Sequence, residues 1–275
     1  MIEKENKNRV HNSPLGVGGI RHIPNIFTLL NLFFGCISIV FALQTESVII
    51  YVNDEFGSSF NIPEKLTWAA IFIGLAAIID FLDGFVARLL HATSGLGKQL
   101  DSLSDIVSFG VAPAAIIYQL LRLSFAREEN GLEISKLWLL PAFIISCAAA
   151  YRLAKFNIDE KQEYNFTGMP TPVTGLLVAS FPLILHYNPT LFGVGNILIN
   201  KWVLYAIIFL VTYLMLSNLP MIGMKFKDYT LKNNLPKIIL LVIALVSAFL
   251  LQWVAVPVIF LLYILLSLTY KKTLT

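Results

Sequence analysis

Long, unbroken runs of apolar residues constrain this chain more than any other feature of its sequence. Several runs reach about 17–25 residues, the length that an α-helix needs to cross the hydrocarbon core of a bilayer. Hydrophobic residues make up 57% of the 275 residues and charged residues only 13%, which is too little charge to cover a soluble protein of this size. The mean hydropathy is +0.74. The sequence therefore predicts an all-α, polytopic membrane helical bundle.

The apolar runs predict about eight transmembrane helices. Strands are disfavoured because the runs are continuous rather than alternating in polarity. The last two helices meet at "WVAVP", so they form either a hairpin or one broken element. No internal repeat is evident in the sequence, and the linkers are too short for a second domain. The predicted helices cover residues 24–43, 66–90, 98–121, 137–155, 172–187, 201–217, 236–252 and 254–270.

Basic residues predict the orientation of these helices, because cytoplasmic loops of membrane proteins are enriched in Lys and Arg. With the N-terminus inside, fifteen of the 20 Lys and Arg residues fall on the cytoplasmic side. Residues 1–20 lack the pattern of a cleaved signal peptide and are predicted to be a cytoplasmic tail. Both termini and the segment 80–105 are then cytoplasmic. The basic residues left outside are Lys65, Arg122, Arg127, Lys136 and Lys201.

Four aspartates stand where the second predicted helix ends and the third begins. Asp80 and Asp83 are three residues apart on one helix face, and Asp101 and Asp105 are four residues apart on one face of the next helix. Two facing helices would bring the four carboxylates into one cluster. Such a cluster is stable when it is protonated, paired or loaded with metal. Hard oxygen ligands in this number suit Mg²⁺ or Mn²⁺, and four carboxylates are enough for two ions bridged by shared carboxylates.

Small and cationic residues share the faces that carry the aspartates. Gly84 and Ala87 leave space on the second helix, and Gly97 does the same at the start of the third. Arg88, one turn after Gly84, supplies a planar cation suited to phosphate oxygens. Membrane acids also pair with Arg to hold helices together, or form ion paths in transporters. Four acids interleaved with small residues on two aligned faces favour a metal-phosphate site.

These residues form the pattern D-x2-D-G-x2-A-R-x8-G-x3-D-x3-D, which resembles the CDP-alcohol phosphotransferases, integral membrane enzymes. "IPNIFTLLNLFFG", "LDSLSDIVSFGVAPA", "YRLAKFNID" and "FTGMPTPVTG" are similar to the serine-using branch of that family, the membrane-embedded phosphatidylserine synthases. "SLSD" replaces the more familiar "SLAD", and Lys155 stands where relatives commonly have Arg. The resemblance divides the chain into a tail (1–20), a catalytic membrane domain (21–220), and a basic loop with a C-terminal hairpin (221–275).

The resemblance implies transfer of a phosphatidyl group from CDP-diacylglycerol to the hydroxyl of L-serine, with release of CMP. Asp80, Asp83 and Asp101 would hold Mg²⁺ or Mn²⁺, and Asp105 would share this coordination or act as the base. Ser94 either lines the CDP pocket or is an ordinary turn or cap residue. The resemblance also implies a homodimer, and no nucleic acid is expected as a partner. The predicted CDP-binding residues are Gly84, Ala87, Arg88, Ser94 and Gly97.

The serine acceptor needs a cation for its carboxylate. Arg152 and Lys155 are candidates at the cytoplasmic end of the fourth predicted helix, although both also fit membrane anchors at the lipid headgroups. Asn25, Thr28 and Asn31 share one face of the first helix and either line the pocket or form hydrogen bonds between helices. Asn25 is the one of these three predicted to contact substrate.

Three alternatives remain open at this point. Thr171 and Thr174, beside "MPTP", either bind the serine amine or shape a loop. The acceptor could be another alcohol, such as glycerol phosphate or inositol phosphate, although a phosphorylated acceptor would favour a denser basic pocket. A cation transporter could use the carboxylates as a relay, but it has no need of the glycines, Ala87 and Arg88 at their spacing.

Overall fold

Helices make up the fold, and the described part of the chain contains no strand. This computed structural model describes residues 23–44, 64–90, 94–128, 133–158, 168–219, 221 and 231–269, except for the side chains of 23 and 231–239. The helices are α1 (Ile23–Leu43), α2 (Glu64–Leu89), α3 (Gly95–Ile106), α4 (Ala112–Ala126), α5 (Ile144–Ile158), α6 (Thr171–Tyr187), α7 (Val194–Leu198), α8 (Lys201–Leu216), α9 (Leu231–Leu251) and α10 (Ala255–Thr269).

Each of the eight predicted helices has a helical counterpart, but the number of spans differs from eight. Five stretches of the described chain are long and apolar enough to cross a membrane, or six if α8 is joined to the short helices before it across a bend of 86°. Helix α6 is apolar but has only 17 residues. The final two predicted helices count as one apolar stretch, Leu240–Thr269, interrupted by the 3₁₀ segment Gln252–Val254. The all-α membrane architecture is confirmed, whereas the count of eight spans is not.

The third predicted helix is longer than expected and changes its winding. It begins at Gly95 rather than 98, continues through a π-helical turn at Val107–Val111, and ends at Ala126 rather than 121. A π turn adds a residue to one turn and shifts the faces that follow it. The side chains of α4 are accordingly buried almost all round, as a central helix of a bundle requires.

Close helix crossings meet at this π turn. A Cβ atom on Gly35 of α1 would lie 2.3 Å from Oγ of Ser108, and one on Gly175 of α6 would lie 3.0–3.2 Å from atoms of Phe109. Only glycine allows backbones to approach so closely. The π turn is therefore clamped between α1 and α6, one turn beyond Asp105.

Several sequence predictions concern residues outside the described part. They include the cytoplasmic tail 1–20 and several of the fifteen basic residues that the sequence assigns to the cytoplasmic side. These are Lys161, Lys225, Lys227, Lys271 and Lys272, together with the undescribed side chains of Lys232 and Lys237. The orientation of the bundle and the boundaries of the three predicted segments therefore remain predictions.

Candidate active site

Three of the four predicted metal ligands converge where α2 ends and α3 begins. Asp80, Asp101 and Asp105 each offer a carboxylate oxygen, and these oxygens lie within 4.8 Å of one another. Asp105 is buried, with 7% of its surface exposed, while Asp80 and Asp101 are half-buried. The helical spacing seen in the sequence produces this convergence, because each pair of aspartates projects from a single face.

Asp83 lies beside this group but is held differently. Its Oδ2 atom accepts a hydrogen bond from the hydroxyl of Thr28 on α1, and the side chain is buried. Asp83 still interacts electrostatically with Asp80 and Asp101. The structure thus brings all four aspartates into one neighbourhood, with three clustered and the fourth hydrogen-bonded to α1.

Helix α1 forms the third side of the cluster. Nδ2 of Asn31 donates to Oδ1 of Asp105 at 3.4 Å. Ser104 and Ser108, on either side of Asp105 in the sequence, donate to the backbone carbonyls of Thr28 and Asn31, both at 3.0 Å. Thr28 and Asn31 therefore form bonds between helices and also contact the aspartates, which combines the two roles that the sequence left open.

The donor set fits a divalent cation. Carboxylate oxygens are the hard ligands that Mg²⁺ and Mn²⁺ prefer. Three carboxylates this close also repel one another strongly when charged, and a cation between them relieves that repulsion. Asp80, Asp101 and Asp105 could hold such an ion directly, with Asp83 next to them.

The predicted CDP-binding residues flank the aspartates at the ends of α2 and α3. Ser94 is the N-cap of α3, since its Oγ accepts from the backbone N–H of Gly97 at 2.9 Å. A Cβ atom on Gly97 would lie 3.2 Å from Oδ1 of Asn25, so Asn25 sits directly over the start of α3. On α2, the position of Gly84 faces Nη1 of Arg88, 3.5 Å from where a Cβ would lie. The structure thus places Asn25 next to a predicted CDP-binding glycine, although the sequence assigned it to the acceptor.

The two predicted acceptor-binding cations differ in their surroundings. Arg152 interacts electrostatically with Asp105, and its buried Nε atom has no hydrogen-bond partner among the described residues. Lys155, one turn further on, donates from Nζ to Oδ1 of Asn218 at 3.0 Å. Both border an open, shallow cavity whose described lining consists of Tyr151, Arg152, Lys155, Phe156, Met215, Leu216 and Ser217. Arg152 therefore links this cavity to the acidic cluster.

A polar contact that was not predicted from the sequence joins α3 to α5. Asn157 donates from Nδ2 to Oγ of Ser102 at 2.8 Å, and its carbonyl lies 3.5 Å from Nζ of Lys98. The polar residue in "KFNID", at the end of an otherwise apolar helix, was the available signal. This contact brings the end of α5, and with it Arg152, against the start of α3.

Comparisons with known proteins agree with the geometry. The sequence model of the family described as CDP-alcohol phosphatidyltransferase matches residues 21–214. A CDP-diacylglycerol–serine O-phosphatidyltransferase from Helicobacter pylori (strain ATCC 700392 / 26695) is 32% identical over 211 residues, covering 76% of this chain and 75% of the relative. One from Bacillus subtilis (strain 168) is 38% identical over 136 residues, covering 46% of this chain and 66% of the relative.

An archaeal relative is also similar. The archaetidylserine synthase of Methanothermobacter thermautotrophicus is 34% identical over 168 residues, which is 60% of each chain. The family match covers well over half of the sequence and includes all four aspartates, Arg88 and Arg152. This chain therefore belongs to the CDP-alcohol phosphatidyltransferase family.

Proposed function

We propose that this chain is a metal-dependent CDP-diacylglycerol–serine O-phosphatidyltransferase. It transfers the phosphatidyl group from CDP-diacylglycerol to the hydroxyl of L-serine and releases CMP. The observation that carries this proposal is the convergence of Asp80, Asp101 and Asp105 within 4.8 Å, beside a cavity that contains Arg152. The names of the similar proteins, which specify serine as the acceptor, support the choice of substrate.

The aspartates are proposed to hold Mg²⁺ or Mn²⁺, with two ions as the expected number. Asp80, Asp101 and Asp105 would be the direct ligands, and Asp83 would offer the carboxylate oxygen that Thr28 does not bind. Bound divalent ions supply charge neutralisation for the diphosphate and for the departing CMP. Gly84, Ala87, Arg88, Ser94 and Gly97 are proposed to surround the CDP group, now joined by Asn25.

Asp105 is the proposed general base. It lies one turn further into the bundle than Asp101 and is the more buried of the two. The serine hydroxyl gives its proton to a carboxylate oxygen of Asp105 as its own oxygen bonds to the diacylglycerol-linked phosphorus. The bond from that phosphorus to the CMP oxygen breaks, and Asp105 later releases the proton to solvent. The hydrogen bond from Asn31 keeps the carboxylate oriented during these steps.

Arg152 is the proposed partner of the serine carboxylate. A guanidinium group matches a carboxylate with two parallel hydrogen bonds. Its Nε atom lacks a partner among the described residues and is therefore free to bind the acceptor. Lys155 is proposed to have a lesser part, because its ammonium group already binds Asn218.

The proposed setting follows from the two substrates. CDP-diacylglycerol carries acyl chains that stay in lipid, whereas serine arrives from water. We therefore place the site at a membrane face, and the excess of Lys and Arg in the predicted inner segments favours the cytoplasmic face of a prokaryotic inner membrane, with both termini in the cytoplasm. The family resemblance supports a homodimer. Labelling of single cysteines introduced at the two termini, in sealed vesicles, would check this orientation.

The activity is tested with purified protein in lipid nanodiscs supplied with CDP-diacylglycerol and Mn²⁺. Separate reactions receive L-serine, glycerol 3-phosphate, inositol phosphate or no acceptor, and both CMP and the lipid product are measured. We expect CMP and phosphatidylserine to form with serine alone. Comparable product with a phosphorylated acceptor would reject serine specificity, and no CMP with any acceptor would reject the enzyme.

A further inference from the structure

The first helix carries two buried polar side chains beside the aspartates, and each of them bonds to an aspartate on a different helix. Thr28 is 2% exposed and bonds to Asp83 of α2, whereas Asn31 is fully buried and bonds to Asp105 of α3. One face of α1 thus reaches one aspartate on each of the two helices that build the cluster.

We propose that Thr28 and Asn31 are positioning residues of the metal centre. Each orients one carboxylate so that its remaining oxygen points toward the cation, which makes α1 the third wall of the centre. The inference rests on the metal site of the proposed function. It adds α1 to that site, although none of the four predicted metal ligands lies on α1.

Hydrogen-bond geometry supports this role. A carboxylate has two oxygens, so a donor bound to one of them leaves the other free for a metal ion and restricts rotation of the group. Thr28 occupies Oδ2 of Asp83, and Asn31 occupies Oδ1 of Asp105 at 3.4 Å. Groups that hold metal ligands in this way change metal affinity when they are removed.

The backbone of α1 is held by other bonds, so the two side chains are not needed for helix docking. Ser104 and Ser108 bond to carbonyls of α1 at 3.0 Å, and Gly35 packs directly on Ser108. Ser38 adds a further bond, from its Oγ to the carbonyl of Ala69 on α2 at 2.8 Å. Removal of the Thr28 hydroxyl therefore leaves these bonds of α1 in place. It takes the shared donor from Asp83 and from the carbonyl of Pro24 within α1.

Asn31 also has an amide oxygen at the site that accepts no hydrogen bond from the described residues. Its Oδ1 is buried and has no hydrogen-bond partner within the described part of the chain, although Nδ2 of the same amide binds Asp105. An amide oxygen next to a metal-binding carboxylate is suited to accept a hydrogen bond from a metal-bound water. This orphan acceptor is a second reason to assign Asn31 to the metal centre rather than to helix packing alone.

The test measures Mn²⁺ binding directly, by electron paramagnetic resonance of protein in nanodiscs without substrate. Thr28→Val and Asn31→Leu should weaken Mn²⁺ binding by about 10-fold or more. Thr28→Ser, which keeps the hydroxyl, should bind Mn²⁺ like the unsubstituted protein. In activity assays, Thr28→Val should need more Mn²⁺ for half-maximal turnover, while its KM for serine at saturating Mn²⁺ stays constant.

Ser38→Ala is the matched control, because it removes an equally buried bond between α1 and α2 away from the cluster. It should leave Mn²⁺ affinity unchanged. Normal Mn²⁺ binding by both Thr28→Val and Asn31→Leu would overturn the inference, as would an equal loss in Ser38→Ala. If Thr28→Val does not fold, Thr28→Ala replaces it in the same comparison. Absence of Mn²⁺ binding in the unsubstituted protein would instead refute the metal site of the proposed function.

Discussion

The two sides of the candidate site differ in how their buried polar groups are satisfied. On the side formed by α1, α2 and α3, Thr28 and Asn31 bind aspartates, and Ser104 and Ser108 bind backbone carbonyls. On the side formed by α5 and α6, Nε of Arg152 and the hydroxyls of Thr171 and Thr174 are buried with no partner among the described residues. On the first side each of these side chains has a protein partner, and one acceptor atom, Oδ1 of Asn31, has none among the described residues. On the second side none of the three groups has such a partner.

The start of α6, which carries Thr171 and Thr174, lies at about the same height in the bundle as Asp105. Lys155, at the end of α5, donates a hydrogen bond to Asn218. Gly168, three residues before α6, donates its backbone N–H to the carbonyl of Leu219. Because Asn218 and Leu219 are neighbours in the chain, α6 begins close to the end of α5. Because the end of α5 contacts the start of α3, α6 and α3 run in the same direction. Gly175 packs on Phe109, so Thr171, one turn earlier, lies near the level of Asp105.

This difference suggests that one side of the site binds the metal and the other binds the acceptor. A buried polar group without a partner is costly, and folded proteins keep few of them. Three such groups on α5 and α6, the proposed acceptor side, agree with a surface that a polar substrate completes. The bonds on the other side, where one such atom remains, agree with aspartates that are arranged before substrate arrives. Substitutions on each side, with measured turnover, metal dependence and serine kinetics, test this contrast.

Asp105→Asn should abolish the reaction. Loss of the general base lowers turnover by about 100-fold to 10,000-fold, and the metal centre also loses a charged ligand. CMP release with serine is the measurement, and the amide has nearly the same size as the carboxylate. Size-exclusion behaviour and melting temperature should match the unsubstituted protein. Turnover at the normal rate would remove Asp105 from the mechanism.

Asp80→Asn should act on the metal rather than on the acceptor. We expect the Mn²⁺ concentration for half-maximal activity to rise by more than about 10-fold, because one of three converging carboxylates is lost. The KM for serine, measured at the highest Mn²⁺ concentration, should change little. Residual activity that is independent of metal would contradict the proposed coordination.

Arg152→Ala should weaken serine binding selectively. A hydrogen-bonded charge pair contributes about 1.5–3 kcal/mol, so the KM for serine should rise by about 10-fold to 150-fold while the KM for CDP-diacylglycerol stays constant. Lys155→Ala is the comparison variant and should have a smaller effect, since its ammonium group binds Asn218. An unchanged serine KM in Arg152→Ala would leave Arg152 as a membrane anchor.

Thr174→Val should give the most direct test of the difference between the two sides, although its expected effect on serine KM is small. Valine matches threonine in shape and removes a hydroxyl without a partner, so the free energy of unfolding should stay the same or rise. Loss of a neutral hydrogen bond to substrate, about 1 kcal/mol, should raise the serine KM by about 5-fold.

Thr28→Val is the matched substitution on the bonded side. It should lower the free energy of unfolding by about 1–3 kcal/mol, because it leaves a buried oxygen of Asp83 unpaired. Melting temperatures and serine kinetics of the two variants, compared side by side, check the contrast. Equal destabilisation by both substitutions would show that the two sides do not differ.

The acidic cluster could be predicted because it depends on local periodicity. Residues three or four apart on a helix share a face whatever surrounds them, so the spacing of Asp101 and Asp105 was sufficient to orient both. Partners from distant helices could not be predicted in the same way. Nothing in the spacing of Thr28 indicated that it would bind Asp83 rather than another group, and nothing near Lys155 pointed to Asn218.

The sequence is enough to recognise this chain as a helical membrane protein with four aspartates on two adjoining helix ends. Hydrophobic length and helical periodicity are properties of short segments, so they can be read without a fold. Three features become visible only in the packed helices: Asp83 binds Thr28, a π turn follows Asp105, and α5 and α6 keep unpaired polar groups. These features arise where helices distant in sequence cross, and the geometry of a crossing depends on the packing of both partners.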